Sequence, residues 1–260
     1  MSSYIAGVMS IFKPLLQFGM KETQIEGLPI LLELLDRPSP KPRGLITISN
    51  HISTLDDPII WGIMPFSTFF NTEKVRWTLG ASDILFTNQF LSFLFRNGQV
   101  IETFRGKGIY QQALDISISK LNDSQWVHIF PEGKVNQTLN NPKHQLLRFK
   151  WGVSRLVLES RAAPIIVPIW LKGFDKVMPE GRPVPQKFLP RLNQRVSIKV
   201  SPPIQAPLIE EFRTSYHSIQ KSFNKSNTFF PKILMDHPEA KEIRIELASL
   251  LRKELLLTSF

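Results

Sequence analysis

Six short apolar runs rich in β-branched residues punctuate this 260-residue chain, at 44–49, 75–79, 99–102, 126–130, 165–170 and 195–200. Each is too short to bury a helical face, and helical periodicity at 87–97, 109–120 and 149–160 fills gaps between them. Alternation of that kind packs as an α/β sheet with helices against it. The expected architecture is α/β, a mixed, largely parallel sheet flanked by helices. With 42% hydrophobic and 21% charged residues the chain can fill such a core, which excludes a mainly disordered or fibrous state.

The first run, Gly44-Leu-Ile-Thr-Ile-Ser49, follows a Pro-rich stretch at 37–43 that reads as a linker, so the folded core is expected to begin near Arg43. Residues 1–41 then make an N-terminal membrane-associating segment and linker, 42–205 the core, and 206–260 a C-terminal helical extension packed on it. The apolar stretch 5–20 is interrupted at Lys13-Pro14, leaving no run of about 20 residues able to cross a bilayer. Monotopic association fits better than spanning. Residues 66–95 hold eight aromatic side chains, Phe90 and Phe93 among them, which suits either an interfacial anchor or a filled core. In the tail, Ile243, Leu247, Leu250, Leu251 and Leu257 form the stripe of an amphipathic helix over 238–257, with Arg244 and Arg252 at or beyond its edges. Glu254 interrupts that stripe, which favours docking on the protein over burial in lipid.

A net charge of +10 favours an anionic partner: nucleic acid, a phospholipid surface or a phosphorylated small substrate. Without cysteine the chain has no disulfide, thiolate nucleophile or Cys-containing zinc site. It also lacks G-x-x-x-x-G-K-[ST], a three-glycine dinucleotide fingerprint and H-E-x-x-H, which counts against nucleotide hydrolysis, Rossmann redox chemistry and zinc proteolysis. His128, His144, His217 and His237 show no ligand spacing, so no metal is expected. No helix-turn-helix spacing or zinc finger supports nucleic acid.

Chemistry concentrates where the expected strands end. Asn50-His51-Ile52-Ser53-Thr54-Leu55-Asp56 lies between the first strand and a helix that Asp57 should cap and Pro58 should open, running through Ile59, Ile60 and Trp61. Residues five apart on a helix point about 140° apart, so His51 and Asp56 can meet only if this stretch bends. In the bend the carboxylate would hold one imidazole nitrogen and leave the other free to take a proton from a substrate hydroxyl. A buried structural histidine is the plainer alternative. Ser53 reads as a turn-stabilising hydroxyl, because no G-x-S-x-G elbow is present to make it a nucleophile. Phe104-Arg105-Gly106-Lys107-Gly108 offers a guanidinium fork and close backbone approach for a phosphate, or simply an exposed basic turn. Phe130-Pro131-Glu132-Gly133-Lys134 places a carboxylate and a flexible amide at another strand end. There Glu132 could orient Arg105 or a substrate hydroxyl, and the Gly133 amide could approach the reacting ester or phosphate. Its bland alternative is an ordinary turn.

The order N-H-x-S-x-x-D, R-G-x-G, F-P-E-G and the Pro-bearing strand Ile165-Ile-Val-Pro-Ile-Trp170 resembles the glycerophospholipid acyltransferase family over about residues 42–203. The resemblance implies a glycerol-3-phosphate-acyltransferase-like fold. It makes 42–205 an acyltransferase core, His51 the general base and Asp56 its partner. Asn50, Ser53, Arg105, Gly106, Glu132 and Gly133 become the substrate-binding set, with no cofactor and no metal. Asp56-Asp57-Pro58 and His128-Ile-Phe-Pro-Glu-Gly-Lys134-Val135-Asn136 are most similar to the family's phospholipid–lysophospholipid transacylases. That finer likeness implies coenzyme-A-independent acyl exchange, cardiolipin remodelling, phospholipid and lysophospholipid partners, an anionic membrane surface, and a mitochondrial membrane facing the intermembrane space. An acyl-CoA-dependent acyltransferase is the enzymatic alternative, and a basic anionic-lipid-binding protein the non-enzymatic one.

Overall fold

The computed structural model describes residues 2–38, 43–137, 139, 141–143, 145–223 and 232–260. The apolar runs become strands β2 (Leu45–Ser49), β3 (Trp77–Ala81), β4 (Val100–Thr103), β5 (Trp126–Ile129), β6 (Ile165–Lys172) and β7 (Arg195–Val200), after an unanticipated β1 (Glu22–Glu26). Before β2 stand helices α1 (Ser2–Phe18) and α2 (Leu28–Leu35), and after it α3 (Asp56–Ile60), α4 (Ser82–Leu85), α5 (Gln89–Asn97), α6 (Gln112–Asn122) and α7 (Gly152–Glu159). Beyond β6 come α8 (Phe174–Val177), α9 (Ala206–Phe223), α10 (Lys232–Asp236) and α11 (Pro238–Leu257).

The strands form one sheet in the order β1-β7-β6-β2-β5-β3-β4. From β6 to β4 all neighbours run parallel, whereas β7 lies antiparallel to β6 and carries β1 parallel to itself. Mixed and largely parallel therefore describes it. Side chains alternate between two apolar layers, as pleating requires. Ile46, Ile48, Val127 and Ile129 face the layer built with α6, α7, α9 and α11, whereas Leu45, Trp126 and Ile169 face the one built with α1, α2 and α3. Because β2, β3, β4 and β5 are parallel, their carboxyl ends share one edge of the sheet.

The folded core does not begin near Arg43. Strand β1 pairs with β7 through Glu22↔Arg195 to Glu26↔Lys199, and α1 buries Ile5, Met9 and Leu16 in the same layer as Trp61 and Phe69. Pro14 sits inside α1 rather than ending it, and the adjacent Lys13 ammonium donates to the Gly62 and Met64 carbonyls at 3.0 and 2.8 Å. Part of the expected linker, 39–42, lies outside the described residues. Helix α11 covers the expected span and lies on α7, α9 and β6. Its stripe is rotated, however: Arg244 is buried, donating to the Leu234 and Met235 carbonyls, while Leu257 is exposed. Among the described residues no helix is long and apolar enough to cross a membrane.

Candidate active site

Strand β2 ends at Ser49, and the next six residues bend back into α3. The bend is held from inside by Asp56, whose Oδ2 accepts the Ile52 and Ser53 amides at 2.7 and 2.8 Å and His51 Nδ1–H at 2.9 Å. Asp56 is fully buried, and among the described residues its Oδ1 has no donor. Burial raises its pKa, while the His51 imidazole and the two amides pull the other way. In the neutral ring, donation from Nδ1 to the carboxylate leaves Nε2 as the nitrogen without a proton. The ring stacks on Phe130 with centroids 4.1 Å apart and borders a cavity of about 910 Å³.

Asp57 does not cap α3. Leu55 occupies that position without a side-chain bond, and Asp57 instead accepts Trp61 Nε1–H at 3.1 Å and pairs with the Arg76 guanidinium. Burial would raise the Asp57 carboxyl, yet Arg76 beside it holds it below the usual range. Ion pairing thus outweighs the preference for a cap here.

Of the expected substrate-binding residues, Arg105, Gly106, Glu132 and Gly133 border the same cavity as His51. Asn50 and Ser53 do not. The Asn50 amide exchanges two hydrogen bonds with the Leu171 main chain, at 2.9 and 2.8 Å, stitching the end of β2 to β6. Ser53 is fully buried, and its Oγ accepts the Leu55 amide at 3.2 Å, a turn-stabilising role.

Glu132 does not orient Arg105. Its Oε1 accepts the His51 amide at 2.8 Å, and its Oε2 accepts Asn136 Nδ2–H at 2.7 Å and the Leu147 amide at 3.0 Å. Burial raises the Glu132 pKa against the pull of those donors. It therefore clamps the histidine's own backbone to the loop before α7. Arg105 pairs with Asp83 instead, at 3.3 Å, with both side chains largely exposed. The Gly133 amide is also spent, donating to the Phe130 carbonyl at 3.0 Å. What the glycine supplies is a left-handed backbone (φ 73°) and room: a Cβ would come within 3.1 Å of Lys150 Cγ.

The basic turn after β4 borders the cavity at Arg105, Gly106 and Gly108. Gly106 and Gly108 are left-handed at φ 80° and 74°, and among the described residues the Arg105, Gly106 and Gly108 amides serve no main-chain acceptor. Gln111 pins the turn by accepting the Phe104 amide at 2.9 Å and donating to the Gly108 carbonyl at 2.6 Å. The sequence reading assigned no role to Gln111, Asn136 or Gln137. The last donates to the Ile52 and Met178 carbonyls at 2.8 and 2.9 Å and so fastens the histidine bend. For Asn136 the only signal was its place in the F-P-E-G-K-V-N run.

Beneath the site, Thr47 Oγ1 accepts Trp126 Nε1–H at 2.9 Å and lies 2.8 Å from His128 Nδ1, so its single proton accounts for the bond to that nitrogen. Burial pushes the His128 pKa down to about 3. An unfolded histidine binds a proton below about pH 6.5, so unfolding takes one up between pH 6.5 and 3. Stability is therefore lost as pH falls through that window, by up to about 1.4 kcal/mol per pH unit from this residue. Urea unfolding between pH 6 and 4 should give His128→Gln a slope against pH shallower by up to one proton; equal slopes would contradict a neutral buried ring.

An imidazole held by a buried carboxylate thus stands beside a basic turn and a largely apolar cavity at the strand ends. A family model described as Acyltransferase matches residues 35–172, and the chain belongs to that family. Within it the chain is similar to the tafazzin of Dictyostelium discoideum, 42% identical over 200 residues, which are 75% of this chain and 67% of that protein. The tafazzin of Saccharomyces cerevisiae is 31% identical over 277 aligned positions, covering 92% of this chain and 72% of its own. An N-acylphosphatidylethanolamine synthase of Arabidopsis thaliana is 40% identical over 171 residues, 64% of this chain and 58% of that protein. The 1-acyl-sn-glycerophosphate (LPA) acyltransferase of Thermotoga maritima shares the fold, with a TM-score of 0.57 at 17% identity over 96% of this chain and 81% of that one.

Proposed function

We propose that the chain moves a fatty acyl group between a phospholipid and a lysophospholipid without coenzyme A, remodelling cardiolipin at a mitochondrial membrane facing the intermembrane space. The observation that carries the catalytic part is His51, held at Nδ1 by Asp56 with Nε2 free beside a cavity bordered by apolar walls and cations. The similarity to tafazzins supports the lipid substrates and the location.

In this reading His51 Nε2 takes the proton from the free hydroxyl of the lysophospholipid as its oxygen attacks the ester carbonyl of the donor. Asp56 stabilises the imidazolium. The free amides of the turn after β4 and the Arg105 guanidinium are the donors available to a phosphate or a developing oxyanion. Collapse of the tetrahedral intermediate expels the donor's glyceryl oxygen, which takes the proton back from His51. One ester breaks as a like ester forms, so the exchange is close to thermoneutral and needs no acyl-enzyme. Purified chain mixed with acyl-labelled phosphatidylcholine and a lysophospholipid should move label with no thioester present; strict dependence on acyl-CoA would replace this reading with the acyl-CoA-dependent one.

Helix α5 supports the membrane part. It buries none of its residues, and Phe90 and Phe93 stand 69% and 63% exposed. Exposed rings of this size on an amphipathic helix suit an interfacial anchor. Replacing both by Asp should release the protein from sedimenting anionic vesicles, whereas unchanged sedimentation would assign anchoring elsewhere.

A further inference from the structure

The cations bordering the cavity fall into two groups on different loops. Arg105 lies on the turn after β4, and Lys134, Arg148 and Lys150 lie on the long connection from β5 to α7. Only β3 separates β4 from β5, so the strands that launch the two groups stand two strand spacings apart, about 10 Å. The groups differ in charge balance. Arg105 already has Asp83, whereas among the described residues Lys134, Arg148 and Lys150 make no ion pair. Glu132, the carboxylate nearest them in the chain, spends its oxygens on three N–H donors.

Local structure holds the second group in place. The Lys150 amide donates to the Pro131 carbonyl at 2.7 Å, and its side-chain stem crosses Gly133 at the point where a Cβ would sit 3.1 Å away. The Arg148 guanidinium lies 5.9 Å from the centroid of Trp151, which also borders the cavity. Three like charges bordering one cavity raise its positive potential and favour an anion there.

We propose that Lys134, Arg148 and Lys150 form a second phosphodiester seat, so that the cavity holds two lipid headgroups at once, one at Arg105 and one on the loop before α7. This rests on the transacylase reading and deepens it: direct exchange requires donor and acceptor to be bound together on either side of His51. The occupant is the phosphodiester of the second lipid rather than the surface of the bilayer.

Equilibrium binding tests the seat without turnover. Full-length His51→Ala protein titrated calorimetrically with dihexanoylphosphatidylglycerol, below its micelle-forming concentration, should take two equivalents. Adding Arg148→Gln and Lys150→Gln should remove one equivalent or weaken it at least tenfold. Adding Arg105→Gln instead should weaken the other. One equivalent or none in the parent, or two unchanged equivalents after Arg148→Gln/Lys150→Gln, would overturn the proposal. So would a pair variant that sheds anionic vesicles yet still takes two short lipids, because its cations would then face the bilayer. Absence of thioester-free transfer by the unmutated chain would defeat the transacylase reading and leave a two-equivalent titration standing.

Discussion

Replacing His51 by Ala should lower acyl transfer by about 10²- to 10⁴-fold, the range a positioned general base contributes. The fold should survive. The imidazole lies at the edge of the cavity, and the bend keeps the Ile52 and Ser53 amides on Asp56, the Asn136 amide on the His51 carbonyl and Gln137 on the Ile52 carbonyl. Circular dichroism and a urea titration on the variant check that expectation beside the assay. Transfer at the unmutated rate would remove the base from the mechanism; loss of the folded signal would make His51 a structural residue.

The second large effect is expected at Glu132, for a different reason. Its carboxylate accepts from the His51 amide, the Leu147 amide and Asn136, and it is almost wholly buried. Glu132→Ala takes an acceptor from all three donors, one bond buried and two part-buried, and a buried unsatisfied group costs about 1–3 kcal/mol, so urea unfolding should show a loss of at least about 1 kcal/mol. Transfer should fall with it, because the clamp on the His51 backbone is gone. Had Glu132 served mainly to orient Arg105, the variant would keep its stability and lose only affinity for phosphate-bearing lipid. That pattern would contradict the clamp.

The contrast between Glu132 and His51 shows what local sequence could and could not reveal. His51 and Asp56 are five residues apart, so a bend signalled by the strand end and Pro58 sufficed to bring them together. Glu132 finds its partners 81 residues upstream and 15 downstream, a pairing set by β5 lying beside β2 in the sheet. Asn50 and Ser53 flank the base in sequence, yet the bend turns one into β6 and the other inward. Strand β1 was missed because Glu-Thr-Gln-Ile-Glu has one apolar residue and no alternation; pairing with β7 makes it a strand. The central strands were legible because both their faces are buried, which writes continuous apolar runs. Arg148 and Lys150 carry no motif, and only the return of the chain from β5 to α7 brings them to the cavity.

Thioester-free exchange between labelled phosphatidylcholine and a lysophospholipid, run side by side with unmutated chain and His51→Ala, probes the chemistry most directly. Label should appear in the acceptor with the unmutated chain alone, and the variant should fall at least a hundredfold below it. Label that moves only when acyl-CoA is supplied, or that moves equally with both proteins, would contradict direct exchange driven by this imidazole.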